Sequence, residues 1–369
     1  MKLYCEGLDL SDAVLKVIKA TSSKTTNPIL EGIKLVAEDD TLTLIATDGE
    51  LAIEKKIKAN IEMEGATVVP GKLFSEFAKK LSNEQITLSL NENNQLKLRY
   101  TDSEVYIQCL NANEFPVIQQ ISSAQFFTMK QNEFKDLVEK SIFCVALDDT
   151  RPILKGCLFE IGKEEIKSVA LDGYRMAMAK KPIIDCSTPM SVVVPGRSLN
   201  ELSKLLDDSD APIRILIQKN YLMAEINSTK IITRLLGTGE DYINYNQIIP
   251  SEFKTTVVVQ KSQLEQALER VAILARASND NSANFEFKEN LLTLQAKSEI
   301  GNVTEKVTVS VVGEDLNISF DNFFVRECLG AIKDDFVKLE LNGPINPCVI
   351  VPHTGDEYLF LILPIRQFR

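Results

Sequence analysis

The residues of this chain that could do chemistry are a few carboxylates, one histidine and seven scattered cysteines. Asp48, Asp172 and the neighbouring pair Asp207 and Asp208 could act as general acids or bases. Asp48 and Asp172 are each followed by glycine, and Asp-Gly between two strand-like segments is more typical of a hairpin turn. We interpret both as turn residues, and a hydrolase with paired acids is the third of three hypotheses.

The single histidine, His353, excludes further kinds of site. A zinc site with two imidazoles, and the HExxH motif of metalloproteases, cannot be built from one chain with one histidine. There is no GxxxxGK[ST] phosphate loop, and the Gly-Thr-Gly segment at 237–239 is a weak match to a dinucleotide-binding turn. We therefore expect no catalytic residue, no metal and no cofactor, and we interpret His353 as a loop residue.

Length and composition indicate a globular protein of more than one domain. The 369 residues exceed the usual single core, and 44% hydrophobic with 25% charged residues is a globular balance. No apolar run approaches the ~20 residues that span a bilayer, and residues 1–6 become acidic before a signal peptide could form. The seven cysteines include no Cys-x-x-Cys pair, which is typical of reduced thiols, and Cys144 and Cys157 lie in apolar strings that predict burial. We expect a cytoplasmic protein with no membrane contact.

The chain repeats itself at intervals of 124 to 127 positions. NPILEG at 27–32 returns as RPILKG at 151–156, and ATDG at 46–49 returns as ALDG at 170–173. VVPG at 68–71 returns at 193–196, and residues 114–121 resemble residues 241–248. A third copy is fainter: residues 259–264 parallel residues 129–134. Repeats of this kind indicate three similar structural units. We place the domains at 1–121, 122–250 and 251–369, joined by linkers at 115–125 and 242–254.

Each copy has the pattern of two helices and several antiparallel strands. Phe134, Leu137 and Val138 recur at helical spacing, and residues 42–46 alternate as in a half-buried strand. The fold class is therefore α+β, with three repeated domains, each of two helices packed on antiparallel sheets. The predicted helices lie at 9–24, 71–81, 131–145, 197–206, 261–276 and 321–333.

In this order and over this length, the motifs resemble the bacterial DNA polymerase III beta subunit family, the sliding clamps. The resemblance covers the whole chain and rests on PIL at 28–30, RPILKG at 151–156, LFE at 158–160, ALDGYRM at 170–176, VVVP at 192–195 and LPIR at 363–366. It implies three DNA-clamp domains that form a ring as a head-to-tail homodimer. It also implies a non-enzymatic processivity factor that encircles duplex DNA without reading its sequence and tethers the replicative polymerase.

The distribution of charge fits such a ring. A net charge of −11 would repel phosphate, but the predicted helices carry a small positive excess while the acidic residues lie on strands and loops. Sparse positive charge inside a ring would hold DNA without fixing its register. Each basic residue could also be an ordinary solvated residue of a helix face. The predicted DNA-facing residues are Lys24, Lys72, Lys79, Lys80, Arg197 and Lys204.

The resemblance further implies an apolar cleft between the second and third domains. There the family binds short peptide motifs of its polymerases, clamp loader and repair proteins. Leucine, isoleucine and methionine make an adaptable groove, although the C-terminal stretch could also be only a last core strand. Ile243 and Gln247 stand where the family often has proline and arginine. Carried over through matching motifs, the cleft comprises Leu154, Gly173, Tyr174, Arg175, Met176, Ile248, Ile345, Pro347, Ile362, Leu363, Pro364, Ile365 and Arg366.

The resemblance also implies a dimer contact between a strand edge near Val105 and the pair Ile273 and Leu274. In the family that pair packs against an aromatic residue, and Val105 is smaller, so we expect a contact that is either weaker or differently packed. The strongest alternative function is a three-domain protein-interaction scaffold with no DNA role.

Overall fold

The computed structural model describes residues 1–22, 25–119, 121, 124–277 and 281–366. They form two compact units, and the division runs through the second repeat. The first unit is Met1–Thr128 with Lys204–Leu206 and Pro212–Leu235, and the second is Met129–Ser203 with Asp207–Ala211 and Leu236–Arg369. The domain boundaries placed at 121 and 250 stay a prediction.

The helices and strands follow the threefold pattern of the sequence. The described residues contain six α-helices, two in each repeat: α1 Gly7–Val17, α2 Gly71–Ala78, α3 Gln131–Glu139, α4 Gly196–Ser203, α5 Lys261–Ala275 and α6 Asn322–Gly330. The strands of the first repeat are β1 Lys2–Glu6, β2 Gly32–Glu38, β3 Thr41–Thr47, β4 Leu51–Lys58, β5 Asn60–Met63, β6 Gly65–Pro70, β7 Gln85–Leu90, β8 Gln95–Tyr100 and β9 Ser103–Gln108.

The second and third repeats add further strands of similar length and order. Those of the second repeat are β10 Gln125–Lys130, β11 Gly156–Ile161, β12 Glu165–Leu171, β13 Arg175–Pro182, β14 Asp185–Cys186, β15 Met190–Pro195, β16 Pro212–Gln218, β17 Tyr221–Ile226, β18 Thr229–Arg234 and β19 Gly237–Thr238. Those of the third are β20 Thr255–Gln260, β21 Ser282–Lys288, β22 Leu291–Ser298, β23 Gly301–Thr308, β24 Ser310–Gly313, β25 Leu316–Asp321, β26 Phe336–Leu341, β27 Cys348–Pro352 and β28 Tyr358–Ile362.

The predicted helices begin close to the observed starts, but several end earlier than the sequence pattern predicts. The helix predicted over 131–145 stops at Glu139, because the Ser141 hydroxyl donates to the carbonyl of Leu137 and a 3₁₀ turn follows at Ile142–Cys144. A serine that bonds to the preceding turn in this way competes with helix continuation. The helices predicted to end at 81 and 206 stop at Ala78 and Ser203.

The first unit packs α1 and α2 on two antiparallel layers. One is a five-stranded sheet in the order β5-β1-β7-β8-β9, and the other runs β16-β17-β18-β4-β3-β2-β6. Leu42, Leu44 and Ala46 on β3 are fully buried, as predicted, but Thr43 and Thr47 are also buried, at 7% and 4% exposure, so the strand is not half-buried. Strands of the second repeat therefore continue the sheet of the first, through the antiparallel pairing of β18 with β4.

The second unit contains one long sheet that joins the second repeat to the third. Its order is β19-β15-β11-β12-β13-β28-β27-β26-β20-β24, and a second sheet runs β23-β22-β21-β25. The joint is the antiparallel pair β13 and β28, which sets Arg175 opposite Ile362 and Met176 opposite Leu361. This pairing brings together residues almost two hundred positions apart, and it positions the candidate site.

The segment predicted as a linker at 242–254 is packed and partly buried. Tyr242 and Tyr245 are buried in one apolar cluster with Leu154 and Met176. The Tyr245 hydroxyl also donates to Glu160 Oε2 at 2.6 Å. A linker that buries two tyrosines belongs to the core of the unit, because each aromatic ring removes a large apolar area from water. No helix within the described ranges is both long and apolar enough to cross a membrane.

Candidate functional site

The centre of the candidate site is the tight turn between β12 and β13. The Asp172 carboxylate accepts through Oδ1 from the backbone N–H groups of Tyr174, at 2.9 Å, and of Arg175, at 3.1 Å. Gly173 has φ of +94°, a conformation that glycine adopts without steric cost. Asp172 is therefore a turn residue, as predicted, and the turn leaves the Tyr174 side chain 64% exposed.

Arg175 is buried, and its guanidinium holds the turn to its surroundings. Nε donates to Asp172 Oδ2 at 3.0 Å, Nη1 to Glu327 Oε2 at 2.5 Å, and Nη2 to the carbonyl of Phe143 at 2.8 Å. The guanidinium carbon also lies 4.4 Å from the ring centre of Phe324, which is a cation–π distance. Because these groups occupy the guanidinium, we infer that Arg175 positions the site and links β13 to α6.

An aromatic surface lies beside this turn. Tyr174 stacks on Phe324 with ring centres 6.2 Å apart, and Phe324 contacts Phe323 at 6.0 Å. Phe323 is 49% exposed, so two of the three rings face solvent. Sequence reasoning missed Phe323 and Phe324. The sequence did contain a signal, because two adjacent aromatic residues stand at the start of a short helix. Two adjacent residues of a helix cannot both face the core, so at least one of the two rings was expected to be exposed.

The C-terminal segment completes this group. The N–H of Leu363 donates to the carbonyl of Tyr174 at 2.9 Å, and the N–H of Ile365 donates to the carbonyl of Ser319 at 2.8 Å. Ile362 is buried in the last strand, whereas Leu363 follows that strand and is 39% exposed. The structure therefore brings together the predicted residues Tyr174, Arg175, Ile362, Leu363 and Ile365.

Other predicted residues of the cleft are buried in the core or lie in exposed segments. Leu154 and Met176, at 3% and 1% exposure, belong to the apolar cluster that includes Tyr242 and Tyr245. The remaining predicted residues are more exposed and their role stays a prediction: Ile248 after the 3₁₀ turn Tyr245–Gln247, Ile345 and Pro347 between β26 and β27, and Pro364 and Arg366 after β28.

The residues predicted to face DNA are exposed where the structure describes them. Lys72 lies on α2 and Arg197 on α4, whereas Lys79, Lys80 and Lys204 follow the ends of those helices. Lys79 forms an ion pair with Glu76 at 2.7 Å. Lys24 lies outside the described residues. Lys72 and Lys79, with Lys19 from the end of α1, line a surface cavity of about 530 Å³ that also includes Glu31 and Glu76.

The residues predicted for a dimer contact lie at or near sheet edges. Val105 lies on β9, the end strand of the five-stranded sheet, and is partly buried. Ile273 and Leu274 lie on α5, which packs against β22 and β23, and β23 is the end strand of its own sheet. Ile273 is 72% exposed. Sequence reasoning missed Tyr106, which is 52% exposed beside Val105.

Comparison with known proteins matches all three parts of the chain. The models of the DNA polymerase III beta subunit match in chain order: the N-terminal domain at residues 1–119, the central domain at 128–239 and the C-terminal domain at 246–366. The beta sliding clamp of Halalkalibacterium halodurans is 32% identical over 95% of this chain and 96% of that protein.

The beta sliding clamp of Bacillus subtilis is 30% identical over the full length of both chains. The crystal structure of the DNA polymerase sliding clamp from Bacillus subtilis superposes with a TM-score of 0.95, at 30% identity and full coverage of both chains. Sequence and fold therefore agree over the whole length.

Proposed function

Because this chain belongs to the DNA polymerase III beta subunit family, we propose that it works as a DNA sliding clamp. In this function a ring-shaped homodimer encircles duplex DNA and tethers a polymerase and other proteins to it. The observation that carries the proposal is the full-length agreement in sequence and fold with beta sliding clamps. In this function the chain works by encircling DNA and by binding partner proteins, and no residue is assigned a catalytic role.

We further propose that partners dock on the surface formed by Tyr174, Phe323, Phe324 and Leu363. Exposed aromatic rings beside an exposed leucine suit apolar side chains of a short peptide. The ion pair of the buried Arg175 with the partly exposed Glu327 keeps this surface in place by holding β13 to α6. The replicative polymerase, the clamp loader and repair proteins are the proposed sources of such peptides.

A cytosolic location is also a proposal, and it is supported by the thiols. All seven cysteines are free, and six of them are buried. Burial raises the pKa of the Cys157 thiol to about 12 and so keeps that group protonated and unreactive at neutral pH. Free thiols in this number are typical of a reducing compartment.

The function is tested by retention on circular DNA. The protein is loaded onto a nicked circular plasmid, the free protein is removed, and half of the sample is cut to a linear form. A sliding clamp stays on the circle and leaves the linear DNA by its ends. Equal retention on both forms would reject the encircling ring, and no retention on either form would support the alternative, a protein-interaction scaffold without a DNA role.

The matched variant for this experiment changes the proposed dimer contact. Ile273→Ala with Leu274→Ala should give single chains in analytical ultracentrifugation, and it should lose retention on the circle. The control is Val117→Ala, at a position 97% exposed in the first unit. An unchanged dimer in the double variant would reject the placement of the contact at Ile273 and Leu274.

A further inference from the structure

A small polar cluster lies inside the second repeat at a site where the first repeat is purely aliphatic. In the second repeat the three positions hold the completely buried residues Ser141, Ser168 and Cys157. The first repeat has, 124 positions earlier and equally buried, the residues Val17, Leu44 and Ile33. Aliphatic side chains thus fill this site in one copy of the fold, so the fold itself does not require polar groups there.

The two serine hydroxyls form a chain of hydrogen bonds with a defined direction. The Ser141 hydroxyl donates its single proton to the carbonyl of Leu137 at 2.9 Å. The Ser168 oxygen lies 2.6 Å from the Ser141 oxygen, and Ser168 is the donor in that bond because the proton of Ser141 is already used. Burial raises the pKa of the Cys157 thiol to about 12, and hydrogen bonds with both hydroxyls work against that rise. We name Ser141 and Ser168 the serine pair.

The serine pair sets the way in which the chain leaves α3. In the first repeat α1 continues directly into the 3₁₀ turn Ile18–Ala20, and Val17 keeps a helical φ of −71° and ψ of −30°. In the second repeat Ser141 has φ of −126° and ψ of −39°, and the 3₁₀ turn Ile142–Cys144 follows it. The bond from Ser168 joins this exit to β12. The serine pair therefore ties the turn to the sheet by a directional contact that the first repeat lacks.

This turn carries one of the groups that hold Arg175. The carbonyl of Phe143 accepts from Nη2 of Arg175 at 2.8 Å, and the Phe143 ring centre lies 5.6 Å from the guanidinium carbon. The same ring packs edge-on against Phe360 of β28, with ring centres 5.4 Å apart. In the first repeat the positions of Phe143 and Arg175 are occupied by Lys19 and Leu51. The buried polar cluster and the buried arginine thus occur in the same repeat, the one that carries the candidate surface.

We propose that the serine pair is a positioning element of the peptide surface and acts through Arg175. It holds the Phe143 carbonyl at the place where Nη2 needs an acceptor, and Arg175 in turn holds the loop that presents Tyr174. The guanidinium has its N–H donors in a fixed planar geometry, and hydrogen bonds weaken steeply when they bend, so a small shift of the turn loosens Arg175. The inference rests on the proposed peptide-binding function and adds to it two residues that touch no peptide.

The test is a double-mutant cycle on the full-length protein. Ser141→Ala with Ser168→Ala removes both hydroxyls, so neither is left without its partner and the melting temperature should fall only slightly. The affinity for a labelled polymerase-derived peptide, measured by fluorescence anisotropy, should fall about fivefold because the acceptor of Arg175 is no longer fixed. In the presence of Arg175→Lys the same two changes should lower the affinity less than about twofold, since lysine lacks the N–H group that bonds to Phe143.

Ser75→Ala is the matched control for the loss of a buried hydroxyl. Ser75 lies in the first unit at 4% exposure, and its hydroxyl donates to the carbonyl of Lys72 at 2.8 Å. This variant loses a comparable bond without any connection to Arg175, so it should bind the peptide as the parent does. If the double serine variant does not fold, Ser168→Ala alone replaces it in the same cycle, because that variant keeps the bond from Ser141 to Leu137.

A peptide that fails to bind the parent would reject the proposed peptide surface itself. If the parent binds it and the serine variant binds it equally well, the positioning role of the serine pair is overturned. The same conclusion follows if the serine substitutions cost equal affinity with and without Arg175→Lys, since the pair would then act independently of Arg175. A loss of the same size in Ser75→Ala would also overturn it, because any lost buried hydroxyl would then suffice.

Discussion

The first and second repeats build the same turn and use it differently. Asp48 Oδ1 accepts from the N–H groups of Glu50 and Leu51, both at 2.9 Å, as Asp172 does from Tyr174 and Arg175. Gly49 and Gly173 have φ of +95° and +94°. The backbone is the same in both copies, so within the turn itself the two copies differ in the two residues that follow each glycine.

Those two residues decide what each turn can bind. In the first repeat Glu50 is exposed and Leu51 is buried, which makes an ordinary hairpin with an apolar anchor. In the second repeat Tyr174 offers an aromatic ring to solvent, and Arg175 connects the turn to α6 through Glu327. The turn geometry is thus kept, and the candidate binding site combines Tyr174 and Arg175 with Phe323, Phe324 and Leu363 from outside the turn.

The first helices of the same repeats give a parallel comparison. Asp12 and Lys16 on α1 form an i,i+4 ion pair at 2.8 Å, with side chains 51% and 32% exposed. The equivalent pair, Asp136 and Lys140, is at 2.6 Å and about 90% withdrawn from water. Asp136 also accepts from Lys333, which follows α6, and it pairs with Lys181 on β13. The buried pair therefore ties the third repeat to the second, as Arg175 does.

The largest expected effect comes from making the second turn like the first. Arg175→Leu copies Leu51 and leaves the carboxylates of Asp172 and Glu327 without their shared cation. Breaking a buried ion pair by removing one partner costs about 3–5 kcal/mol, and the partial exposure of Glu327 places this substitution at the lower end of that range. We expect urea denaturation to show a loss of this size, and calorimetry to show loss of peptide binding.

Arg175→Lys serves as the control for this substitution. Lysine keeps the positive charge but lacks the planar guanidinium with its several N–H donors. We therefore expect Arg175→Lys to recover part of the stability and a smaller part of the peptide binding. A fully stable Arg175→Leu variant that still binds peptide would show that the two turns differ only at Tyr174.

The next effect separates the buried ion pair from the exposed one. Asp136→Asn removes charge-assisted hydrogen bonds from three lysines and should lower the free energy of unfolding by about 2–3 kcal/mol. Asp12→Asn should cost less than about 0.5 kcal/mol, because exposed helical pairs contribute little. Equal losses in urea denaturation would show that burial of the Asp136 group has no energetic consequence.

The same pair predicts a dependence on pH. Burial alone would raise the pKa of the Asp136 carboxyl, but hydrogen bonds from Lys140, Lys181 and Lys333 outweigh it and hold that pKa well below its usual range. A lowered folded pKa contributes stability that is complete above the unfolded value of about 3.9 and is lost as pH falls through the folded value. The difference in unfolding free energy between the parent and Asp136→Asn should therefore be largest near neutral pH and shrink below about pH 4. A difference that stays constant down to pH 3 would contradict this assignment.

A smaller effect tests the aromatic surface without disturbing the fold. Tyr174→Glu copies Glu50 at an exposed position, so unfolding should change by less than about 0.5 kcal/mol. Peptide affinity should fall about tenfold, since a ring that stacks on Phe324 is replaced by a charge. The reciprocal variant Glu50→Tyr should gain no binding, because the first repeat has Leu51 in place of Arg175. If the Glu50→Tyr variant binds the peptide at the first repeat, Arg175 is not required to position such a site.

The sequence predicted the local structure of these regions well and their long-range partners less well. The repeats, the burial of the apolar residues of β3, the Asp-Gly turns and the burial of Cys144 and Cys157 are confirmed, because each depends on neighbouring residues. The burial of Arg175 was not predictable from its surroundings in the chain. It depends on Glu327, 152 positions away, and on a pairing of β13 with β28 that periodicity cannot reveal.

Two further differences between the prediction and the structure also arise from contacts between residues far apart in the chain. The tyrosines at 242 and 245 lie in a polar segment, and only the sheet beneath them makes that segment part of the core. The membership of the candidate site came from the resemblance, which carried over Arg175 as a cleft residue. The structure supplies its hydrogen bonds, and these favour a positioning role.

The smallest expected effect concerns the second helices of the two repeats. Lys72 and Lys79 of the first repeat correspond to Arg197 and Lys204 of the second, each pair 125 positions apart. Lys79 pairs with Glu76, so we expect it to bind a phosphate more weakly than the exposed Lys72 does.

If both lysines face DNA, Lys72→Gln should lower the slope of log K against log salt by about 0.9, the value for one phosphate contact. Lys79→Gln should lower it by less. Fluorescence anisotropy on a short duplex over a salt series measures both slopes, and Lys163→Gln, at an exposed turn position, is the control. If Lys72→Gln has the same slope of log K against log salt as the parent, Lys72 does not contact DNA. If both variants lower that slope equally, Glu76 releases Lys79 when DNA binds.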